Sequence, residues 1–138
     1  MLKPVIAAAA ALILLCAPAS ADEPAQEAMT KGEARLAKLL DGRVAGEPER
    51  CIRTFGTGNL TQIDGTALVY KQGRTVWVNR TRTPDAIDDN EIMVIRRFDG
   101  TNLCRTDHIT LVDRLSGMFS GILLLEDFVP YRKAATEG

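Results

Sequence analysis

The sequence is short of the residues on which most enzyme and cofactor chemistry depends. It holds one histidine, His108, so no group of imidazoles exists to bind zinc. Its three cysteines, Cys16, Cys51 and Cys104, include no C-x-x-C pair, the spacing that lowers a thiol pKa for redox work. Lys and Arg number 17 against 18 Asp and Glu. That balance gives no electrostatic case for nucleic acid and leaves no polyanionic tail. Gly56-Thr57-Gly58 is followed by no lysine and opens no helix, so it reads as a bend between strands rather than a phosphate loop. No internal repeat or low-complexity tract interrupts the domain. No cofactor and no metal ion is expected.

What is present begins with an export signal. Residues 1–21 carry Lys3, an apolar run from Val5 to Ala17, then Ala19-Ser20-Ala21. This is the pattern of a secretory signal peptide cleaved after Ala21. The apolar run falls short of the roughly 20 residues a bilayer span needs, so no membrane span is expected after cleavage. Leu15 stands before Cys16, where an acylated cysteine would require a small residue, so Cys16 should leave with the signal. The remaining 117 residues suffice for one domain, with 16 basic and 18 acidic side chains and a net charge of −2 before His. The short, Ala-rich signal points to the bacterial periplasm. There the sequons Asn59-Leu60-Thr61 and Asn79-Arg80-Thr81 are chance matches. Cys51 and Cys104 are then the only two thiols in an oxidising compartment, and a structural disulfide between them is expected.

Residues 22–29 are polar and Ala-rich, a loose mature N-terminus. Thr30 and Glu33 form a capping box, and Ala34, Leu36, Ala37, Leu39 and Leu40 share a helical stripe ending near Gly42. Such a helix is marginal alone, so its leucine face should dock on a sheet. Gly46-Glu47-Pro48 reads as a turn, and strands follow from Cys51. Asp64-Gly65, Gln72-Gly73 and Asp99-Gly100 lie between β-rich runs and read as hairpin turns of a meander. Thr81 to Asn90, with Pro84, is the longest loop, carrying one helical turn after the proline.

The stretch Leu103 to Lys133 organises the rest. Alternation around Ile109, Leu111 and Asp113 predicts a strand, Ser116-Gly117 a turn, and Gly121 to Leu125 a fully buried strand. The fold class is therefore mainly β, α+β at the margin: a helix followed by a small antiparallel barrel or sandwich of seven or eight strands over residues 30–133. Residues 134–138 form a disordered tail. Leu68, Val76, Val78, Val94, Leu111, Leu123 and Leu125 are the expected core. Aromatics are only 5% of the chain, which singles out Phe128 and Tyr131 to close one end of the fold. Pro130 lacks an N–H and predicts an edge strand or strand end there.

The run Gly42-Arg43 through Glu47-Pro48, Arg50-Cys51-Ile52 and Ile63-Asp64-Gly65-Thr66 resembles a family of small exported proteobacterial proteins. Val78-Asn79-Arg80, Leu103-Cys104, Val112-Asp113-Arg114 and Phe128-Val129-Pro130-Tyr131 also match. The likeness covers Leu39 to Lys133. It implies one exported β-rich domain with paired cysteines and supplies no activity or catalytic residue.

His108 beside Asp107 is the one candidate for general acid/base catalysis, with Arg96, Arg97 and Arg105 available to hold an anionic substrate. Neighbouring strand residues point to opposite faces, so Asp107 orients His108 only if a bulge intervenes. Asp85, Asp88, Asp89, Asn90 and Glu91 offer oxygen ligands for calcium but lack a glycine at the turn, so they read as a solvated loop. The many strand arginines read as partners for the equally abundant carboxylates. The expectation is a non-catalytic periplasmic binding or inhibitor module, with an envelope protein or small ligand as partner. The alternative is a small hydrolase acting through His108.

Overall fold

Thr30 caps the helix as its chemistry requires: its hydroxyl accepts the Glu33 N–H at 3.1 Å. In the computed structural model, which describes residues 29–55 and 59–135, the helix α1 runs Lys31–Leu39. The signal peptide, residues 22–28, the Gly56-Thr57-Gly58 bend and residues 136–138 lie outside the described residues. Glu33 does not complete the capping box. Its carboxylate pairs with Arg80 instead, tying the helix to the sheet beneath it. Gly32 is buried where α1 crosses the turn at Asp64 and Thr66, and a side chain there would overlap Thr66 Oγ1 and the Asp64 carbonyl. Glycine's helix-weakening cost is accepted at this position because nothing larger fits.

Ten strands follow: β1 Arg43–Ala45, β2 Cys51–Arg53, β3 Leu60–Ile63, β4 Ala67–Gln72, β5 Thr75–Asn79, β6 Glu91–Arg96, β7 Asn102–Cys104, β8 His108–Asp113, β9 Phe119–Leu124 and β10 Val129–Lys133. They form three antiparallel sheets, ordered β1-β10-β5-β4-β3, β2-β7 and β6-β8-β9. The architecture is thus mainly β, and the described residues contain one α-helix and no closed barrel. Seven or eight strands undercounted the sheet. Three-residue strands such as β1 are too short to show a period-two pattern.

Register explains the layers. Ile63, Ala67, Val69, Val76 and Val78 fall on one face of the five-stranded sheet and bury Leu36, with Leu39, Leu40 and Tyr131 at the margin. Leu68, Tyr70 and Trp77 fall on the other face. They share a second core with Ile52, Leu103, Ile87, Phe128 and the inner residues of β6-β8-β9. The five-stranded sheet is therefore apolar on both faces and covered on both. A 3-10 turn, Pro84–Ala86, follows Pro84 as expected and leads Ile87 into that second core.

Three connections differ from their sequence reading. Gly46-Glu47-Pro48 is not a turn: Gly46 N–H donates to Pro130 O at 2.7 Å and Glu49 bridges Phe128, so the chain stays extended along β10. Asp99-Gly100 does not join a hairpin, because β6 pairs with β8 and β7 pairs with β2. Asp99 instead curls the chain locally, accepting Thr101 N–H at 3.1 Å and the Asn102 side-chain amide at 2.6 Å. Pro130 lies in a strand with a neighbour on each side. It is tolerated because regular β1 pairing ends at Ala45, opposite Tyr131. Beyond it Pro130 need only accept, from Gly46 N–H, so the missing donor falls where the ladder turns irregular. Phe128 and Tyr131 do not close one end together. Phe128 fills the core between the sheets while Tyr131 packs under the helix.

Cys51 and Cys104 stand directly opposite each other in β2 and β7 and form the expected disulfide, with Cα atoms 4.0 Å apart. Ile52 and Leu103, one position further on in the ladder, anchor this small sheet in the core. Asn79, of the second sequon, is fully buried: its amide donates to Glu126 O, and its Oδ1 accepts Thr81 N–H at 3.0 Å and Glu126 N–H at 3.0 Å. That clamp holds Thr81 at a positive φ of 54°, a conformation rare for a β-branched residue.

Candidate binding face

The three-stranded sheet turns one face to the core and the other outward. Period-two alternation sends Met93 and Ile95 of β6 inward and Ile92, Val94 and Arg96 outward. On β8, Ile109 and Leu111 are buried, leaving His108, Thr110 and Val112 on the opposite side. On β9, Leu123 is fully buried while Ile122 and Leu124 are 46% and 45% exposed. Register lines these residues up across the strands. Val94, Thr110 and Ile122 form one row, and Arg96, His108 and Leu124 the next. A bulge beside Val112 sets Phe119 opposite it, which returns Phe119 to the outward face.

This arrangement corrects two expectations. Val94 belongs to the outward face, not the core, and Gly121 to Leu125 is half buried, not fully buried. The other expected core residues, Leu68, Val76, Val78, Leu111, Leu123 and Leu125, are buried. A signal for the outward face was present in the sequence: Ile92-Met93-Val94-Ile95 is apolar at four successive positions, so both faces of that strand are apolar. The same holds for Ile122-Leu123-Leu124.

The β8–β9 hairpin extends the apolar margin with Leu115 and Met118, both exposed. Asp113 fixes its tip. Its Oδ1 accepts from Ser116 N–H at 2.7 Å, the Ser116 hydroxyl at 2.7 Å and Leu115 N–H at 3.1 Å. Bonds to the charged form, that from Ser116 N–H foremost, hold its carboxyl below the ordinary carboxylate value. Asp99, at the turn following β6, is lowered in the same way, chiefly by Thr101 N–H and then by the Asn102 amide.

The groups singled out for chemistry do not converge. His108 lies in register with Arg96 and Leu124, and its imidazole has no hydrogen-bond partner among the described residues. Asp107 is buried and turned to the backbone, where its Oδ2 accepts Cys104 N–H at 2.8 Å while its own N–H donates to Cys104 O at 2.9 Å. The carboxylate next to His108 in sequence therefore closes a turn and does not orient the imidazole. Arg105 is paired with Asp127 at 3.0 Å, and Arg97 donates to Gly100 O at 3.4 Å. Of the three arginines expected to hold an anion, only Arg96 stands in register with His108.

In the acidic loop, Asp88 Oδ1 accepts both the N–H and the side-chain amide of Asn90, at 2.8 and 3.1 Å. The Glu91 carboxylate accepts from the Ser120 hydroxyl. Asp88 and Asp89 come together with Asp64 of the β3–β4 turn, their carboxylate oxygens within 4.8 Å of one another. Asp64 reads from the sequence only as a turn residue and not with the acidic loop, because only folding brings that turn to it. Among the described residues no helix is long and apolar enough to cross a membrane. No protein-family model, curated protein or solved structure matches the chain, which leaves its own geometry to carry a functional reading.

Proposed function

We propose that the protein is a non-catalytic binding module of the bacterial cell envelope, exported by the leader in residues 1–21 and stapled by Cys51–Cys104. Its occupant is a protein segment that lays apolar side chains across β6-β8-β9 and presents carboxylates at the Arg96 end. The observation that carries this reading is the outward face bearing Ile92, Val94, Phe119, Ile122 and Leu124, on a sheet whose other face is already buried. Contiguous apolar surface of this kind on a soluble domain marks an interaction site. Charge sets the polarity of the partner. Arg96 has no ion pair among the described residues, whereas Arg82 and Arg105 are held by Glu126 and Asp127. A disulfide-bonded β-domain is compatible with export. A small hydrolase acting through His108 has only Arg96 across the strand in its favour.

The test is a parallel capture from envelope extract with four proteins: wild type, Val94→Ser/Ile122→Ser, Arg96→Glu, and a control, Lys38→Ser, on the exposed side of α1. A partner held by wild type and control, lost with the double variant and weakened by Arg96→Glu, is the expected result. Capture that ignores the double variant contradicts the proposal. So does a dimer in light scattering that the double variant dissolves, since the occupant would then be a second copy.

A further inference from the structure

We propose a second site, for a phosphorylated anion, at the end of the five-stranded sheet where β1 begins, β10 ends and β4 turns into β5. Arg43, Arg74, Arg132 and Lys133 line a depression of about 810 Å³ there, together with Gly73, Ala134 and Ala135. No carboxylate lines it, and none of the four cations has an ion-pair partner among the described residues. What sets the cluster apart from the other unpaired arginines is that four cations line one depression with no carboxylate among them. The strand arginines were expected to pair with carboxylates, as Arg80, Arg82 and Arg105 do.

The cluster is also oriented. Arg43 Nη1 donates to Arg74 O at 2.8 Å, and Arg132 Nε donates to Thr75 Oγ1 at 3.2 Å. Each bond fixes a guanidinium while leaving most of its N–H donors unused. Register places Arg43 beside Lys133 and Arg132 beside Thr75, the neighbour of Arg74, so the ladder brings the start of β1, the end of β10 and the β4–β5 turn to one end of the sheet. Gathered like charges repel, and an anion with several oxygens relieves that repulsion while accepting bidentate bonds from the arginines. The depression has the volume of a small-ligand site, larger than a single phosphate requires. The ligand class is accordingly an oligophosphate or a phosphate-bearing lipid headgroup, two sources of one chemistry.

The probe is inorganic tripolyphosphate, titrated calorimetrically into the purified protein at low salt. Saturable binding is expected, weakening as salt rises. Arg74→Gln/Lys133→Gln should reduce affinity by about tenfold or more per lost charge-assisted contact. Both side chains are exposed, and their removal breaks no hydrogen bond seen in the fold, so the variant's melting curve should match wild type. Arg53→Gln, away from the depression, should bind as wild type does. No saturable binding, or equal binding by the double variant, overturns the site. A second arm separates the sources. Co-sedimentation with phosphatidylglycerol vesicles but not phosphatidylcholine vesicles, lost in the double variant, identifies a lipid headgroup. Tripolyphosphate binding without co-sedimentation identifies a free oligophosphate.

Discussion

The two larger sheets are built from the same kind of residue and end in different surroundings. β4 and β5 carry Ala67-Leu68-Val69-Tyr70 and Val76-Trp77-Val78, apolar on both faces, and both faces are covered. α1 covers one and the three-stranded sheet covers the other. β6 and β9 carry Ile92-Met93-Val94-Ile95 and Ile122-Leu123-Leu124, equally two-sided, yet only the inner side is covered among the described residues. Val69 is fully buried while Val94 is 39% exposed. An apolar run therefore reports that two faces want covering, not that two layers exist to cover them. Where the second layer is missing, the apolar face is the surface to explain.

The cover can be stripped or spoiled piece by piece. The largest effect should come from the small β2–β7 sheet, whose Ile52 and Leu103 serve the core that the two larger sheets share. Cys51→Ala/Cys104→Ala opens a loop of 53 positions and should cost about 4 kcal/mol in the chain-entropy picture. Denaturant titration against wild type measures it. A loss under about 1 kcal/mol would mean that the two sheets hold together without their staple.

Next in size is the helix cover. Gly32→Ala should raise helix propensity by about 1 kcal/mol on intrinsic grounds. Overlap with Thr66 and the Asp64 carbonyl should outweigh that gain and destabilise by about 1–3 kcal/mol. A stabilised variant would show that α1 rides loosely on its sheet.

The smallest effect concerns the Asp113 turn that ends the half-covered sheet. Its carboxyl is lowered in the fold, so the turn's contribution is present above the unfolded carboxylate pKa of about 3.9. It is lost as pH falls through the folded value. The melting difference between wild type and Asp113→Asn should accordingly exist at neutral pH and close below about pH 4. A constant difference across that range would remove Asp113 ionisation from the account.

Local chemistry was legible in the sequence. Thr30 as a cap, Gly65, Gly73 and Gly117 at positive φ in turns, the turn after Pro84 and the disulfide pair each follow from neighbouring residues or from counting thiols. What escaped depends on distant pairing. β1 was invisible because three residues carry no period, and the Asp99-Gly100 hairpin failed because the register of Cys51 with Cys104 draws β7 to β2. The basic depression escaped because Arg43, Arg74 and Arg132 are scattered along the chain and meet only through the β1–β10–β5 ladder. The outward face was half legible. Its strands read as apolar on two sides, and nothing in the sequence says which side goes without a layer.

Leu123 and Leu124 put that distinction into neighbouring residues, fully buried and 45% exposed respectively. Leu123→Asp and Leu124→Asp, compared by denaturant unfolding, test it most directly. Leu123→Asp should abolish cooperative folding, because it buries an unpaired charge in the core. Leu124→Asp should leave the midpoint within about 0.5 kcal/mol of wild type, as at an ordinary surface site. If Leu124→Asp also unfolds the protein, the outer face of β6-β8-β9 is already covered within the chain, and the binding face does not exist.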